Sequence, residues 1–440
     1  MVKFDKISTR GIKKRQRGGL KFCLFFLCIF CVFCALFSSV VVFSDFNKHH
    51  LRAGNVALDG IEGGSSSLGL EDSSSFDRKG NANKTGLDDD FDDTNGLGVQ
   101  KGNGAIVIEQ SSRRILYQEN KDTKLYPAST TKVLTALVVL EHLPLSKEIK
   151  IPKTAVGVEG SSIYLREGES LTVRELLLGL MLRSGNDSAT ALALAVSPSI
   201  EEFAALMNTT AKRVGAKNSN FKNPHGLHND GHYTTAYDLA LITAEAFKNK
   251  DFCKIVATKS AVLSGVQEKR YIQNKNKMLW QYEGGNGVKT GYTKMSGRCL
   301  VSSAERAGMQ IISVVLNHGA MWDDSKRYMD YAFASYEMAS PYKDLSDIVK
   351  VKNGKVGETV VRAENAPLYP IKKDGSEKFE VELVSQALDA PVIKDKECGS
   401  VKVSISNHLI FEGKLYTIEN VDKKSIRDKF IDFFKRKKSQ

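Results

Sequence analysis

The segment STTKVLTALVVLEHL, beginning at Ser129, sets the strongest constraint on the fold. Its apolar residues recur at helical spacing and leave almost no polar face. The helix they predict has to be enclosed on nearly every side. The flanking sequence supplies layers to enclose it. From Gly104, GAIVIEQSSRRILYQEN alternates into a hairpin with Ser111, Ser112 and Arg113 at the turn. Beyond Lys289, the runs GYTKMSGRCLVSSA and MQIISVVLNH, joined by ERAG, read as neighbouring strands. Between them lie helical patterns. LTVRELLLGLML opens on a capping box from Thr172 to Glu175. DSATALALAV, IEEFAALMNTTAKRVGA (stopped by Gly215) and TTAYDLALITAEAFKN follow, and a last helix falls near DSKRYMDYAFASYEMA. Strands at both ends with helices between predict an α+β layer fold. The first hairpin and the late strands then share one antiparallel sheet, with helices on its faces and a helical subdomain.

These elements fill residues 101–342. The 440-residue chain is long enough for more. Residues 346–418 carry short β-like runs separated by turn residues, among them DIVKVK, FEVELVS and SVKVSIS, and predict a small all-β domain. Residues 421–440 contain Ile426, Phe430, Phe433 and Phe434 on one helical face with basic residues around them. Such a helix suits the interface of an anionic bilayer; docking on the protein's own body is the other reading. At the other end, residues 1–21 are basic and Phe22–Phe43 carries no charge, enough to span a bilayer with the amino end in the cytoplasm. An uncleaved anchor is expected rather than a signal peptide, for which Val42 and Ser44 would be the small residues before a cut. Residues 44–100, rich in Gly, Ser and Asp, read as a flexible acidic linker.

The net charge of +12 sits entirely in the two ends. Basic tails on a balanced body suggest membrane surfaces and no nucleic-acid partner. Four of the seven cysteines lie in the apolar span. Cys253, Cys299 and Cys398 remain, too few for a disulfide framework, and Cys299 falls in an apolar strand pattern.

Chemistry concentrates in three short motifs. Ser129 and Lys132 form S-x-x-K at the head of the enclosed helix, three residues apart and so on one face. Ser and Thr are ordinary helix starters, but a lysine inside so apolar a helix is costly to bury as a cation. Desolvation lowers its pKa, so it can take a proton from a neighbouring hydroxyl. Ser184 and Asn186 form S-x-N between two helices. Lys289, Thr290 and Gly291 form K-T-G on a strand. GGNGVKTGYT is not a phosphate loop, because Val288 stands where glycine would precede the lysine. The histidines at 225, 228 and 232, with Asp230 among them, mimic a metal spacing but lie in a Pro/Gly/Asn loop that would not aim the rings together, so no metal is expected.

The three motifs occur together, in this order, in penicillin-binding proteins and class A β-lactamases. PASTTKVLTAL, VEGSSIYLREGESLTVRELLLGLMLRSGND, NPHGLHNDGHYTTAYDLALI and GVKTGYT resemble the serine D-Ala-D-Ala carboxypeptidases, the low-molecular-mass penicillin-binding proteins. The resemblance implies a penicillin-recognising serine peptidase domain and assigns roles by motif position. Ser129 is the acylated nucleophile and Lys132 its base. Ser184 relays a proton to the leaving amine, and Asn186 holds the substrate amide. Lys289 keeps the site positive, Thr290 takes the substrate carboxylate beside Gly291, and the N–H groups of Ser129 and Tyr292 form the oxyanion hole. It implies no cofactor, peptidoglycan stem peptides ending in D-Ala-D-Ala as substrates, β-lactams as covalent inhibitors, and a catalytic domain on the extracytoplasmic side of the cell membrane. Lys275 stands where relatives often have Arg or Thr and is a further candidate for the carboxylate. A DD-endopeptidase would use the same residues. A class A β-lactamase would need an E-x-x-L-N element, which the sequence lacks, and a non-catalytic wall-binding protein would normally have lost the serine or the lysine.

Overall fold

The computed structural model describes residues 104–264 and 269–438; the segments expected at 1–21, 22–43 and 44–100 lie outside them. The hairpin is present as β1 (Gly104–Glu109) and β2 (Ile115–Glu119). A 3-10 turn, Ala128–Thr131, leads into α1 (Lys132–His142). Two short strands, β3 (Glu148–Lys150) and β4 (Ser170–Thr172), precede α2 (Val173–Leu182), whose Thr172/Glu175 capping box is formed. Then come α3 (Asn186–Val196), α4 (Ile200–Arg213), α5 (Ala236–Ala246) and α6 (Lys250–Ala257). The hairpin β5 (Ser260–Leu263) and β6 (Arg270–Gln273), and the single turn α7 (Met278–Gln281), lead to β7 (Gly285–Thr293), β8 (Gly297–Arg306), β9 (Met309–Leu316) and α8 (Met321–Ser335).

The five long strands form one antiparallel sheet in the order β2-β1-β9-β8-β7. The first strand is therefore interior and pairs with the last, β9, which is central. Alternation sorts the side chains. Ile106, Ile108, Val288, Val301, Ile312 and Val314 face the helical layer, and Ala105, Val107, Leu300, Ala304, Ile311 and Val315 face α8. Inside the helical layer, α1 is walled by α3, α4 and α5, with Val133, Leu134, Val138 and Val139 wholly buried. The apolar-all-round pattern thus lies where it has to lie.

Two boundaries differ from expectation. The helix expected from Ser129 begins at Lys132. Ala128 is left-handed (φ 48°), and the amide and hydroxyl of Thr130 both bind the Pro127 carbonyl, which closes a tighter turn over the nucleophile. The last helix stops at Ser335, because Tyr336–Ala339 is strand β10, drawn into pairing by residues 369–372.

The later residues form β11 (Ser346–Lys352), β12 (Glu358–Ala363), β13 (Tyr369–Lys372), β14 (Phe379–Ser385), β15 (Leu388–Asp389), β16 (Glu397–Ile405) and β17 (His408–Thr417). Six of them make a sheet in the order β14-β16-β17-β12-β11-β15, over a small core of Val349, Val361, Ala363, Val401 and Leu415. At the seam between the domains, β10 pairs with β13. The Arg114 guanidinium donates to both Glu377 carboxylate oxygens and to the Pro370 carbonyl, and lies over the Tyr336 and Tyr369 rings. The described chain closes on α9 (Ile426–Lys438), with Ile426, Phe430, Ile431 and Phe434 exposed. Among the described residues no single helix is long and apolar enough to cross a membrane.

Candidate active site

Lys132, the first residue of α1, is fully buried. Its Nζ lies 2.9 Å from Ser129 Oγ, 2.7 Å from Asn186 Oδ1 and 2.7 Å from the His225 carbonyl oxygen. Two of these partners can only accept. A neutral amine has two N–H bonds and one lone pair. The two carbonyls take the N–H bonds, and the lone pair is left for the Ser129 hydroxyl. Burial pushes this lysine well below its ordinary pKa. The charges of Lys289 and Lys275 push the same way, and Asp187 opposes them. Burial thus favours the neutral amine, and in that form the geometry turns its lone pair to the serine.

The His225 carbonyl comes from the loop NPHGLHNDGHYTT, which is held on α1 at several points. Thr135 Oγ1 donates to the Pro224 carbonyl at 2.6 Å, and Gly226 (φ 82°) comes so close that a Cβ there would lie 1.8 Å from the Ala128 oxygen. His232 Nδ1 accepts from the Lys222 amide at 3.1 Å, so its Nε2–H faces Thr131 Oγ1 at 2.9 Å. Burial, then His228 and Lys132, lowers this imidazole to about 4. His228 instead lies beside Asp230 and edge-on to Tyr126. The three histidines are thus employed separately. Among the described residues no group of three His, Cys, Asp or Glu side chains is placed to hold a metal ion.

Asn186 is the first residue of α3, not a loop residue, and its Nδ2 donates to the Glu159 carbonyl at 2.5 Å. Ser184 sits just before it, buried and left-handed (φ 64°). Its hydroxyl is not among the three partners of Lys132. Left-handed backbone at a non-glycine residue is strained, a cost that collects at functional sites.

Lys289 lies on β7, the free edge of the sheet, and is 1% exposed. Its Nζ donates to the Thr290 carbonyl at 2.8 Å, and burial, then Lys275, lowers its pKa to about 7. Gly291 allows β7 to approach the nucleophile turn: a Cβ there would stand 3.0 Å from the Pro127 oxygen and 3.1 Å from the Ser129 nitrogen. Tyr292 is 66% exposed at the mouth. Lys275 reaches across to donate to Ser161 Oγ at 3.3 Å. Behind Gly291, Cys299 is buried, and burial raises its thiol to about 11. Cys253, Cys299 and Cys398 are all free thiols.

The structure thus joins Ser129, Lys132 and Asn186 by direct contact, sets the Lys289–Tyr292 strand against the nucleophile turn, and leaves Lys275 at the entrance. Sequence reasoning missed the His225 carbonyl, Asp187 and the Thr131–His232 pair. The signal for the loop was its His-Gly step, where glycine allows the close approach.

A family model described as D-alanyl-D-alanine carboxypeptidase matches residues 99–320. The chain is 32% identical to the D-alanyl-D-alanine carboxypeptidase DacF of Bacillus subtilis, over 77% of this chain and 89% of that one. It is 30% identical to the D-alanyl-D-alanine carboxypeptidase DacC of Escherichia coli, over 74% and 86%. Among solved structures it is similar to penicillin binding protein 5 from Haemophilus influenzae, with a TM-score of 0.62, 27% identity, and 74% of this chain and 100% of that one covered.

Proposed function

The chain belongs to the D-alanyl-D-alanine carboxypeptidase family, and from that premise we infer how its own residues perform the reaction. It is a serine D-Ala-D-Ala carboxypeptidase with the penicillin-binding fold. The substrate is the D-Ala-D-Ala end of a peptidoglycan stem peptide. Its terminal carboxylate meets Lys289 and Thr290, with Lys275 at the entrance adding positive charge. Asn186 holds the peptide amide. The Ser129 hydroxyl gives its proton to Lys132 and attacks the carbonyl between the two D-alanines. The developing oxyanion is met by the N–H groups of Ser129 and Tyr292, donors already held in place. Ser184 carries a proton to the departing D-alanine amine, and water then releases the acyl group from Ser129. A β-lactam enters the same path but keeps its leaving group tethered, so the ester persists as a covalent adduct.

The observation that carries this reading is the Lys132 amine, 2.9 Å from Ser129 Oγ with carbonyls on its two other partners. Mass spectrometry of the protein with benzylpenicillin, and with a diacylated Lys-D-Ala-D-Ala peptide, tests it. The expected results are one penicilloyl group on the peptide containing Ser129, and free D-alanine. An adduct at another residue would refute the assignment.

Attachment to the cell membrane, with the catalytic domain extracytoplasmic, belongs to the same proposal. Exposure of Ile426, Phe430, Ile431 and Phe434 along α9 supports it, as does the basic composition of the tail. The uncharged stretch Phe22–Phe43 would supply a second, spanning attachment. Cosedimentation with anionic vesicles at low and at about 0.5 M salt, of the intact protein and of a chain beginning at Gly98, separates the two: salt releases the shorter chain, held by the tail alone, and leaves the intact one bound.

A further inference from the structure

Next to Asn186 stands an acid to which none of the three motifs gives a task. Asp187 is 1% exposed. Its Oδ2 accepts from Ser162 Oγ at 2.6 Å, from the Ile163 amide at 3.1 Å and from the Leu165 amide at 3.1 Å. Its Oδ1 accepts from the Ile163 amide at 3.2 Å and the Ser188 amide at 2.8 Å. One carboxylate thus grips the loop Ser161–Leu165 on both sides of Tyr164. Tyr164 is left-handed (φ 60°) and 80% exposed. A non-glycine residue is held in that conformation only when its neighbours over-determine it, and here the amides of 163 and 165 both donate to Asp187 Oδ2. Gly185 clears the space: a Cβ there would lie 2.7 Å from Asp187 Oδ1.

The gripped loop leads back to the chemistry. The Ser161 carbonyl accepts from the Asn186 amide at 2.7 Å, the Glu159 carbonyl accepts from Asn186 Nδ2, and Ser161 Oγ accepts from Lys275. Asn186 Oδ1 in turn holds the Lys132 amine. We propose that Asp187 is a positioning residue for acylation: its carboxylate fixes the Ser161–Leu165 loop, and through it Asn186 and Lys275, while setting a negative charge near buried Lys132. The other charged groups acting on Lys132 are Lys289 on β7 and Lys275 beyond β6; His225 in the histidine loop is lowered to about 3 by burial, then by Lys132, and is neutral over the working range. Asp187 is the acid among them, and it favours the protonated form of Lys132.

The inference rests on the acyl-enzyme reading above, and the test separates the two. The second-order rate of acylation by benzylpenicillin is measured from about pH 5 to about pH 10 on the intact parent, on Asp187→Asn and on Ser162→Ala, with thermal unfolding of each. No adduct on the parent's Ser129 would sink the reading itself. With the parent labelled, Asp187→Asn is expected to lose about tenfold or more near neutral pH. Its acid limb should also move to lower pH, since Lys132 loses the charge that helps it keep a proton. Ser162→Ala removes one bond from the loop and no charge, so it should lose about threefold with the limb unmoved. An Asp187→Asn profile that overlays the parent's while the unfolding temperature falls would make the residue structural and overturn the inference. Should Asp187→Asn fail to fold, Ser162→Ala decides: a rate equal to the parent's overturns the loop's role, and a loss with an unmoved limb sustains it.

Discussion

The two domains treat buried polar groups in opposite ways. The first encloses Lys132, Lys289, Asn186, Asp187, Thr131 and His232 within one region of its helical layer and sheet edge. The second buries only Thr359, Glu377 and Thr417 among its described polar residues, and Glu377 serves the seam. An apolar core would be cheaper than a desolvated lysine, which contributes little to stability. The first domain therefore gives up stability where its chemistry lies, and the second has no such sacrifice to explain.

Substitutions can break that contrast. The largest effect is expected at the nucleophile: Ser129→Ala should abolish both penicillin labelling and D-alanine release, and a surviving penicilloyl adduct would end its assignment. Lys289→Ala comes next, with a loss of about 2–4 kcal/mol in transition-state binding for peptide and penicillin alike. Acylation rates within threefold of the parent's would remove Lys289 from the site. The pH profile sharpens this test. Lys132 must be neutral, so the rate rises on its acid limb. Lys289 must be charged, so in the free enzyme the rate falls as pH climbs through about 7, the value burial and Lys275 give it. The Lys289→Ala variant should lack that alkaline fall.

At the seam with the second domain, and in the tail, the same measurements should barely respond. Arg114→Ala cuts the bonds to Glu377 and Pro370 and should lower stability by about 2 kcal/mol, because Glu377 keeps the Lys372 amide as a donor. Denaturant unfolding reads the stability, and turnover of a soluble peptide should stay at the parent's level. A fall in turnover below the unfolding range would show that the seam acts on the site. The smallest change in activity, none, is expected for Phe430→Ser combined with Phe434→Ser. In a chain beginning at Gly98, without the Phe22–Phe43 stretch, vesicle binding should nonetheless be lost; binding equal to that of the unsubstituted short chain would assign the exposed face of α9 another partner.

Much of this was legible because it depends on side-chain type and spacing. A lysine three residues after a serine in an apolar helix declares a buried amine, and alternation in the outer segments announced the shared sheet. The illegible parts depend on backbone atoms or tertiary partners. The carbonyl that fixes Lys132 belongs to His225, but any residue has a carbonyl. Asp187 looks like an ordinary acid in a first helical turn until the loop at 161–165 is folded onto it. Tyr336–Ala339 continues a helical pattern and becomes a strand only because residues 369–372 lie alongside. The 3-10 turn over Ser129 depends on the left-handed Ala128, which no local preference announces.

The order β2-β1-β9-β8-β7 has a consequence for how the molecule comes into being. A ribosome delivers Ser129 and Lys132 early, but β1 has no neighbour except β2 until β9 is made, and β7 cannot join the sheet before β8 and β9 link it to β1. Pairings this distant in sequence are slow to form, because a long chain must close first. Until they form, Lys289, Thr290 and the Tyr292 amide cannot stand beside the nucleophile turn. The nascent chain therefore carries the nucleophile and its lysine well before the strand bearing Lys289 can take its place beside them, and the site is complete only once β7 has joined the sheet.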